Sequence, residues 1–599
     1  MASPIEDYAL IGDCHTAALV GRDGSIDWWC VPRFDSGACF AALLGGPEHG
    51  RWQIVPDEPI LSVTRAYRGD TLVLDSTFET ASGAITLTDC MPIRTSYPDI
   101  VRMVTGVHGT VRMRVEIVIR FDYGSITPWV QRDRDGITAT GGPDTLLLRT
   151  PVPLRGEGWT TIGEFDVRAG DEVPFVLTWH PSHAPSEQSA DPHRAIASTV
   201  RWWQDWSAGC AFTGPWRHAV MRSLITLKAL TYAPTGGIVA APTTSLPEHI
   251  GGPRNWDYRY CWLRDSTFTL TALMQNGHIE EARAWREWLL RAVAGRGEEL
   301  SVLYGLAGER RLPELELAWL PGYERSTPVR IGNAASHQFQ LDVYGEVLEC
   351  LHVARHFELD GHADQHDWRV ERELLRCLEA VWQEPDEGIW EVRGTRQHFT
   401  HSKLMAWVGF DRAVKDVERF GFDGPVERWR ALRDQVHEEI CTRAFDRTRN
   451  TFVQYYGGTE VDAALLMMAM VGFLPPTDPR LAGTVAAVER DLLRDGFVDR
   501  YRTHSGVDGL PSGEGTFLLC TCWLADNYAL MGRHDDAERV FERVLSVRND
   551  VGLLAEEYDP VAHRQLGNFP QAFSHLGLIN TARNLTIGRD RPAGVRQEA

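Results

Sequence analysis

Two glutamates in the C-terminal two thirds of the chain sit where a carboxyl group can do acid–base chemistry. Glu391 follows a tryptophan in the glycine-bounded stretch Gly388-Ile389-Trp390-Glu391-Val392-Arg393-Gly394. A carboxyl beside an apolar ring is pushed towards its neutral form, as a general acid near neutral pH requires. Glu556 opens the acidic run Glu556-Glu557-Tyr558-Asp559, where an ionised carboxylate can hold a water as general base. Two carboxyls on opposite walls of a pocket are the minimum for breaking a glycosidic bond. A third stretch, Arg254-Asn255-Trp256-Asp257-Tyr258-Arg259-Tyr260-Cys261-Trp262-Leu263-Arg264-Asp265, crowds rings, arginines and acids together without a hydrophobic period. Read blandly, it is an aromatic turn held by internal Arg–Asp pairs. Read chemically, it suits a sugar: Trp262 and Trp390 offer flat faces, while Arg264 and Asp265 take hydroxyls in charge-assisted bonds. Asp499-Arg500-Tyr501 adds a further arginine and ring.

These residues need a scaffold that brings distant segments together. Residues 1–190 read as β: short runs rich in Val, Thr and Ile, such as 17–21, 25–30, 60–67, 71–78, 84–89, 101–107, 111–121, 145–150 and 173–180, broken by turn dipeptides. Strands without intervening helices predict an antiparallel β-sandwich. The stretch 186–209 turns polar and then helical, so 191–212 is expected to be a linker helix. From Pro215 onward twelve amphipathic stretches follow, near 215–232, 265–276, 278–296, 336–357, 366–384, 401–418, 424–444, 460–472, 478–494, 515–532, 534–548 and 570–586. Their connections alternate between long and short. Six helical hairpins closed in a ring form an (α/α)6 barrel over 213–590, with every long loop on one rim. Long loops in a compact domain are usually functional, and Glu391, Glu556, Arg264 and Arg500 all lie on them.

Composition narrows the function. A formal net charge of −21 disfavours nucleic acid and anionic membranes as partners. The first residues include Glu6 and Asp7 and show no apolar signal core, and the longest apolar run, 463–475, is shorter than a membrane span. The 11 cysteines are odd in number and scattered, and Cys520 and Cys522 have the wrong spacing for zinc or redox work. These features predict a cytoplasmic protein. His401, His504 and His575 lack close metal-ligand spacing, so no metal or other cofactor is expected. Phosphate loops and nucleophile elbows are likewise missing.

The motifs at 254–265, Pro-Val-Arg-Ile-Gly-Asn-Ala-Ala at 328–335, Gly-Ile-Trp-Glu at 388–391 and Ala-Glu-Glu-Tyr-Asp at 555–559 together resemble glycoside hydrolase family 15. Pro4-Ile5-Glu6-Asp7-Tyr8 and Gly24-Ser25-Ile26-Asp27-Trp28 resemble its bacterial branch, which extends the likeness over nearly the whole chain. The resemblance implies an inverting, exo-acting α-glucoside hydrolase, with glucoamylases, glucodextranases and bacterial trehalases among its relatives. It implies Glu391 as general acid and Glu556 as general base, with Glu557 one place along as the alternative. Arg264 and Asp265 are implied to grip the terminal glucose, and Arg500 and Tyr501 to line the same subsite. One departure is Val392, where fungal glucoamylases carry a second acid, which weakens the expectation of starch. The expected substrate is a small neutral α-glucoside, trehalose first and maltose- or isomaltose-type sugars next. A phosphorylase of the same architecture and a non-catalytic sugar sensor are the competing classes, and a homo-oligomer is left open. Loop 297–335 and Arg33-Phe34-Asp35 are expected to shape the leaving-group side.

Overall fold

The computed structural model describes residues 2–184, 190–357 and 365–588. Part of the polar stretch beginning at 186, and the expected barrel end at 590, lie outside the described residues. Fifteen antiparallel strands precede the first long helix: β1 (Tyr8–Gly12), β2 (Ala17–Gly21), β3 (Ser25–Cys30), β4 (Ala38–Phe40), β5 (Arg51–Pro56), β6 (Ile60–Tyr67), β7 (Leu74–Thr80), β8 (Gly83–Cys90), β9 (Asp99–Val118), β10 (Trp129–Asp133), β11 (Gly136–Gly141), β12 (Asp144–Arg149), β13 (Arg155–Glu157), β14 (Thr160–Arg168) and β15 (Glu172–Pro181). The two strands expected at 101–107 and 111–121 are one continuous strand, β9. Its first half pairs with β8 and β15 and its second half with β5 and β14. Gly109 sits at the changeover with φ +70°, a conformation an L side chain resists. A glycine that reads as a break in the sequence is therefore the bend by which one strand serves both sheets of the sandwich. Strands β1, β4, β5, β10, β11, β13 and β14 come in addition to those expected.

Helix α1 (Pro192–Ser207) connects the two parts; Asp191 caps it by accepting from the Arg194 N–H, and Pro192 stands in the first turn. All twelve expected barrel helices form: α2 (Arg217–Ala229), α3 (Ser266–Gln275), α4 (Ile279–Val293), α5 (Asp342–His356), α6 (Gln365–Val381), α7 (Thr400–Phe420), α8 (Val426–Arg443), α9 (Met467–Met470, continuing a 3-10 turn Ala463–Leu466), α10 (Pro479–Asp491), α11 (Leu518–Leu530), α12 (His534–Ser546) and α13 (Ala572–Gly588). Contacts run α3–α5–α7, through the 463–470 turns, to α11, α13 and back to α3. That closed ring is the inner layer. Its helices are buried on all sides, as in α11 from Leu518 to Ala529. The outer α12 buries a single stripe, Ala537, Val540, Phe541, Val544 and Leu545. Each long connection leads from an outer helix to the N-terminus of an inner one, so six inner-helix N-termini and six long loops share one rim. Among the described residues no helix is long and apolar enough to cross a membrane.

The sandwich leans on that rim. The Trp28 indole donates to the Pro242 carbonyl at 2.8 Å, and Arg259 donates to the Tyr123 hydroxyl at 2.6 Å. The Trp319 indole reaches the Tyr123 carbonyl from the barrel side at 3.0 Å.

Candidate active site

The rim loops enclose a cavity, and Trp262, Arg264, Asp265, Trp390, Glu391, Arg500, Tyr501 and Glu556 all line it. Arg264 and Asp265 close the loop that enters α3; Trp390 and Glu391 stand on the loop entering α7; Arg500 and Tyr501 precede α11; Glu556 precedes α13. Arg33, Phe34 and Asp35 do not line this cavity, contrary to expectation. Phe34 is buried in the core, and Arg33 pairs with Asp35 at 2.8 Å and Glu309 at 2.9 Å. From loop 297–335 only Asn333 and Ala335 reach the cavity wall.

Glu391 occupies a left-handed backbone conformation, φ +57°, uncommon for a side chain of its size. Its peptide is held by an N–H bond to the Gly388 carbonyl at 3.1 Å, and its neighbours by Val392 N–H to Glu387 and Arg393 N–H to Asp508. Its carboxyl does not lean on the Trp390 ring, contrary to expectation. Trp390 turns its indole N–H to Asp462 at 2.9 Å, whereas the Glu391 Oε1 accepts from the Trp262 indole at 2.7 Å and lies 3.4 Å from Arg264. The side chain is 21% exposed, so it meets the cavity. Val392, in the place of a fungal second acid, is buried. Arg393 beside it lines the cavity, lies 4.2 Å over the Trp256 ring and pairs with Glu314 at 2.7 Å.

Glu556 and Glu557 are separated by the alternation of a strand. Residues 557–559 pair with Thr516–Phe517 and with 564–566 in a small sheet, and successive side chains there face opposite ways. Glu556 faces the cavity, where its Oε1 accepts from the Tyr258 hydroxyl at 2.6 Å. Its Oε2 is buried without a protein partner among the described residues. Glu557 accepts from the Gly515 N–H at 2.8 Å and lies 3.3 Å from Arg500, away from the cavity. Burial, reinforced by the charge of Glu248, pushes the Glu556 carboxyl up to about 8, with Arg500 and the Tyr258 hydroxyl opposing.

Tyr258 and Trp262 link the two glutamates: their rings meet edge to face at 5.2 Å, one bonded to each carboxyl. Beneath Glu391, Arg264 donates to the Ile389 carbonyl, which leaves its buried Nε and the Oδ1 of Asp265 facing each other at 4.0 Å, neither with a hydrogen-bond partner among the described residues. Burial, with Glu391 reinforcing and Arg264 opposing, lifts Asp265 to about 7. A donor and an acceptor side by side in a cavity wall fit a pair of sugar hydroxyls. Arg500 is committed differently from expectation. Its guanidinium meets Glu514 at 2.7 Å, Glu248 at 2.8 Å and Glu557 at 3.3 Å, so its first task is to neutralise three carboxylates. Those three acids also present oxygens within 4.8 Å of one another, a spacing that suits a cation, but Arg500 and Arg254 already supply the positive charge. Tyr501 donates to Asp508 at 2.8 Å.

Tyr258, Glu248, Trp256, Gln338 and Phe573 also line the cavity and were not singled out from the sequence. Tyr258 and Trp256 lay in a stretch already marked by its composition, while Gln338 and Phe573 carry no signal there. His575 is satisfied by Ser223 and the Leu554 N–H, and His504 is exposed. His401 is buried, and neither ring nitrogen has a protein partner among the described residues.

Fold and cavity together define a β-sandwich and (α/α)6-barrel glycoside hydrolase with carboxylates on loops of a single rim. The family profile for glycosyl hydrolases family 15 matches residues 214–583, and that for the trehalase-like N-terminal region matches residues 1–165. The chain belongs to glycosyl hydrolases family 15. It is 37% identical to a trehalase of Mycobacterium tuberculosis over 96% of this chain and 89% of that one. Identity to a trehalase of Thermoplasma volcanium is 33%, over 97% of this chain and 93% of that one. A bacterial glucoamylase complexed with acarbose shares the fold, with TM-score 0.73 at 11% identity over 97% of this chain and 94% of that one.

Proposed function

We propose that the chain hydrolyses trehalose with inversion at the cleaved glucosyl carbon. The observation that carries the reading is the convergence of Glu391, Glu556, Arg264 and Asp265 on one cavity; near-full-length likeness to trehalases supports the substrate. Arg264 and Asp265 hold the terminal glucose, with Trp390 and Trp262 against it. Glu391 gives its proton to the bridging oxygen, which departs with the bond electrons as the hydroxyl of the second glucose. Glu556, oriented by Tyr258, takes a proton from a water whose oxygen bonds to C1 from the other face. The two carboxyl groups are then expected to stand about 6.5–9.5 Å apart, the inverting range. In this reading the protein is cytoplasmic, with parts at 1–190, 191–212 and 213–590.

Trehalose, maltose, isomaltose and soluble starch, assayed side by side by proton NMR, test it. Inversion of trehalose yields one β-glucose from the cleaved ring and one α-glucose from the departing ring. Initial release of α-glucose alone would mean retention and sink the mechanism; faster turnover of maltose or isomaltose would move the substrate to those sugars; glucose 1-phosphate in place of one of the two free glucoses would make the chain a phosphorylase.

A second reading rests on one observation: burial and the charge of Glu248 favour the proton on Glu556, while Glu391 meets two donors. In it the two roles are exchanged. α-Glucosyl fluoride separates the readings, because fluoride leaves without an acid but still needs an activated water. If Glu391 is the acid, Glu391→Gln keeps fluoride hydrolysis and loses trehalose hydrolysis. The same pattern in Glu556→Gln would establish the exchanged roles.

A further inference from the structure

Apart from the rim cavity, the sandwich carries a second cavity of about 370 Å³ between β10 and the β13–β14 turn. Trp129 and Trp159 line it while standing 72% and 77% exposed, a rare condition for the largest apolar side chain. Arg120, Arg132 and Arg155 line it too, and no carboxylate does. In a chain of net charge −21, an acid-free pocket with three arginines stands out against its surroundings. Arg120 is the informative one. It is 9% exposed, its guanidinium donates to the Ile119 carbonyl at 2.7 Å, and among the described residues it has no acidic partner. Arg132 likewise bonds, among the described residues, only a carbonyl, that of Leu154 at 2.9 Å; Arg155 pairs with Glu164 at 2.9 Å. Burial of an arginine without a counter-charge is costly and pulls its proton affinity down.

We propose that this cavity binds a hexose phosphate: the phosphate on Arg120 and Arg132, the apolar face of the ring against Trp129 and Trp159. Guanidinium groups match phosphate geometry, and flat rings match a pyranose face. A neutral sugar fits less well, since the wall offers no carboxylate or side-chain amide to accept its hydroxyl protons. A second copy of the chain fits less well too, because a two-fold contact would set the same arginines against one another.

Titration calorimetry of the full chain with glucose 6-phosphate tests the site, with glucose and inorganic phosphate as comparison ligands. Wild type is expected to bind the phosphate sugar at least about tenfold more tightly than either half, and Arg120→Gln and Trp159→Ala are each expected to weaken it about tenfold, the loss of one charge-assisted pair or one stacked ring. Trp159 is exposed, so its variant folds even if Arg120→Gln does not. Any of four results overturns the proposal: no binding by wild type, binding of glucose or of phosphate that equals that of the phosphate sugar and is weakened by Trp159→Ala, unchanged affinity for the phosphate sugar in Trp159→Ala, or a self-association in sedimentation that Trp159→Ala abolishes.

Discussion

At the scale of single residues, what matters is how each catalytic candidate's proton is held. Glu391→Gln keeps the shape of the side chain and its bond from Trp262, so trehalose binding should survive while kcat falls by about 10²–10⁴-fold, the worth of a general acid. Steady-state kinetics check it; wild-type turnover in the variant removes Glu391 from the mechanism. Tyr258 donates to Glu556 at 2.6 Å and so favours the ionised form that a base needs. Glu556 already lies above the usual carboxylate range, so activity should fall as pH drops through that raised value. Tyr258→Phe removes the opposing bond, and the acidic limb of kcat/KM should move to still higher pH, with a loss of about ten- to a hundredfold in kcat near neutrality. A limb that stays in place in the variant shows that Tyr258 does not act on the base.

At the scale of elements, the inner helices carry the geometry. Helices α5 and α7 touch through glycines. A Cβ on Gly345 would fall 2.0 Å from the Met405 carbonyl oxygen, whereas one on Gly409 would meet side-chain ends of Leu348 and Leu378 at 2.9 Å. In a free helix Gly→Ala gains about 1 kcal/mol. Against a backbone carbonyl that gain loses to overpacking of about 1–3 kcal/mol. Gly345→Ala should therefore lower the melting temperature, and Gly409→Ala, facing movable side chains, should lower it less. Equal effects would show that the carbonyl contact does not hold the helices at this spacing. The consequence reaches the cavity, because Gln338 lies just before α5 and Trp390 and Glu391 lie on the loop that enters α7, and all three line it.

At the scale of the whole molecule, the barrel buries many titratable groups around its axis. Burial lifts Asp265 and Asp386 to about 7 and Asp342 and Asp462 to about 6. It drives His401 and His575 down to about 3. The signs oppose. Each carboxyl keeps in the folded chain a proton that the unfolded chain has already lost, so its stabilisation fades as pH rises through 6 to 7. Each imidazole stays neutral in the fold, so its stabilisation grows as pH rises towards 6.5. Each group shifts stability by about 1.4 kcal/mol per pH unit inside its window, and four carboxyls outweigh two imidazoles. The chain should melt at a higher temperature at pH 5.5 than at pH 7.5, measured by calorimetry; the reverse order would show that the barrel core holds these acids ionised.

Periodicity and loop length were enough to place twelve helices, their alternation and the rim that carries the chemistry, because burial on one helical face imposes a 3.6-residue pattern that survives in the bare chain. The motif residues were legible for a similar reason: an arginine, an acid and several rings packed into twelve residues have few structural uses. Partners were not legible. That the indole beside Glu391 belongs to Trp262 and not to Trp390, that Arg500 serves three glutamates, and that Glu556 faces the cavity while Glu557 turns away are decided by side-chain direction across loops distant in sequence. Local sequence sets which groups are available; only ring closure of the barrel determines which of them meet, since those contacts depend on rigid-body placement that no single segment encodes.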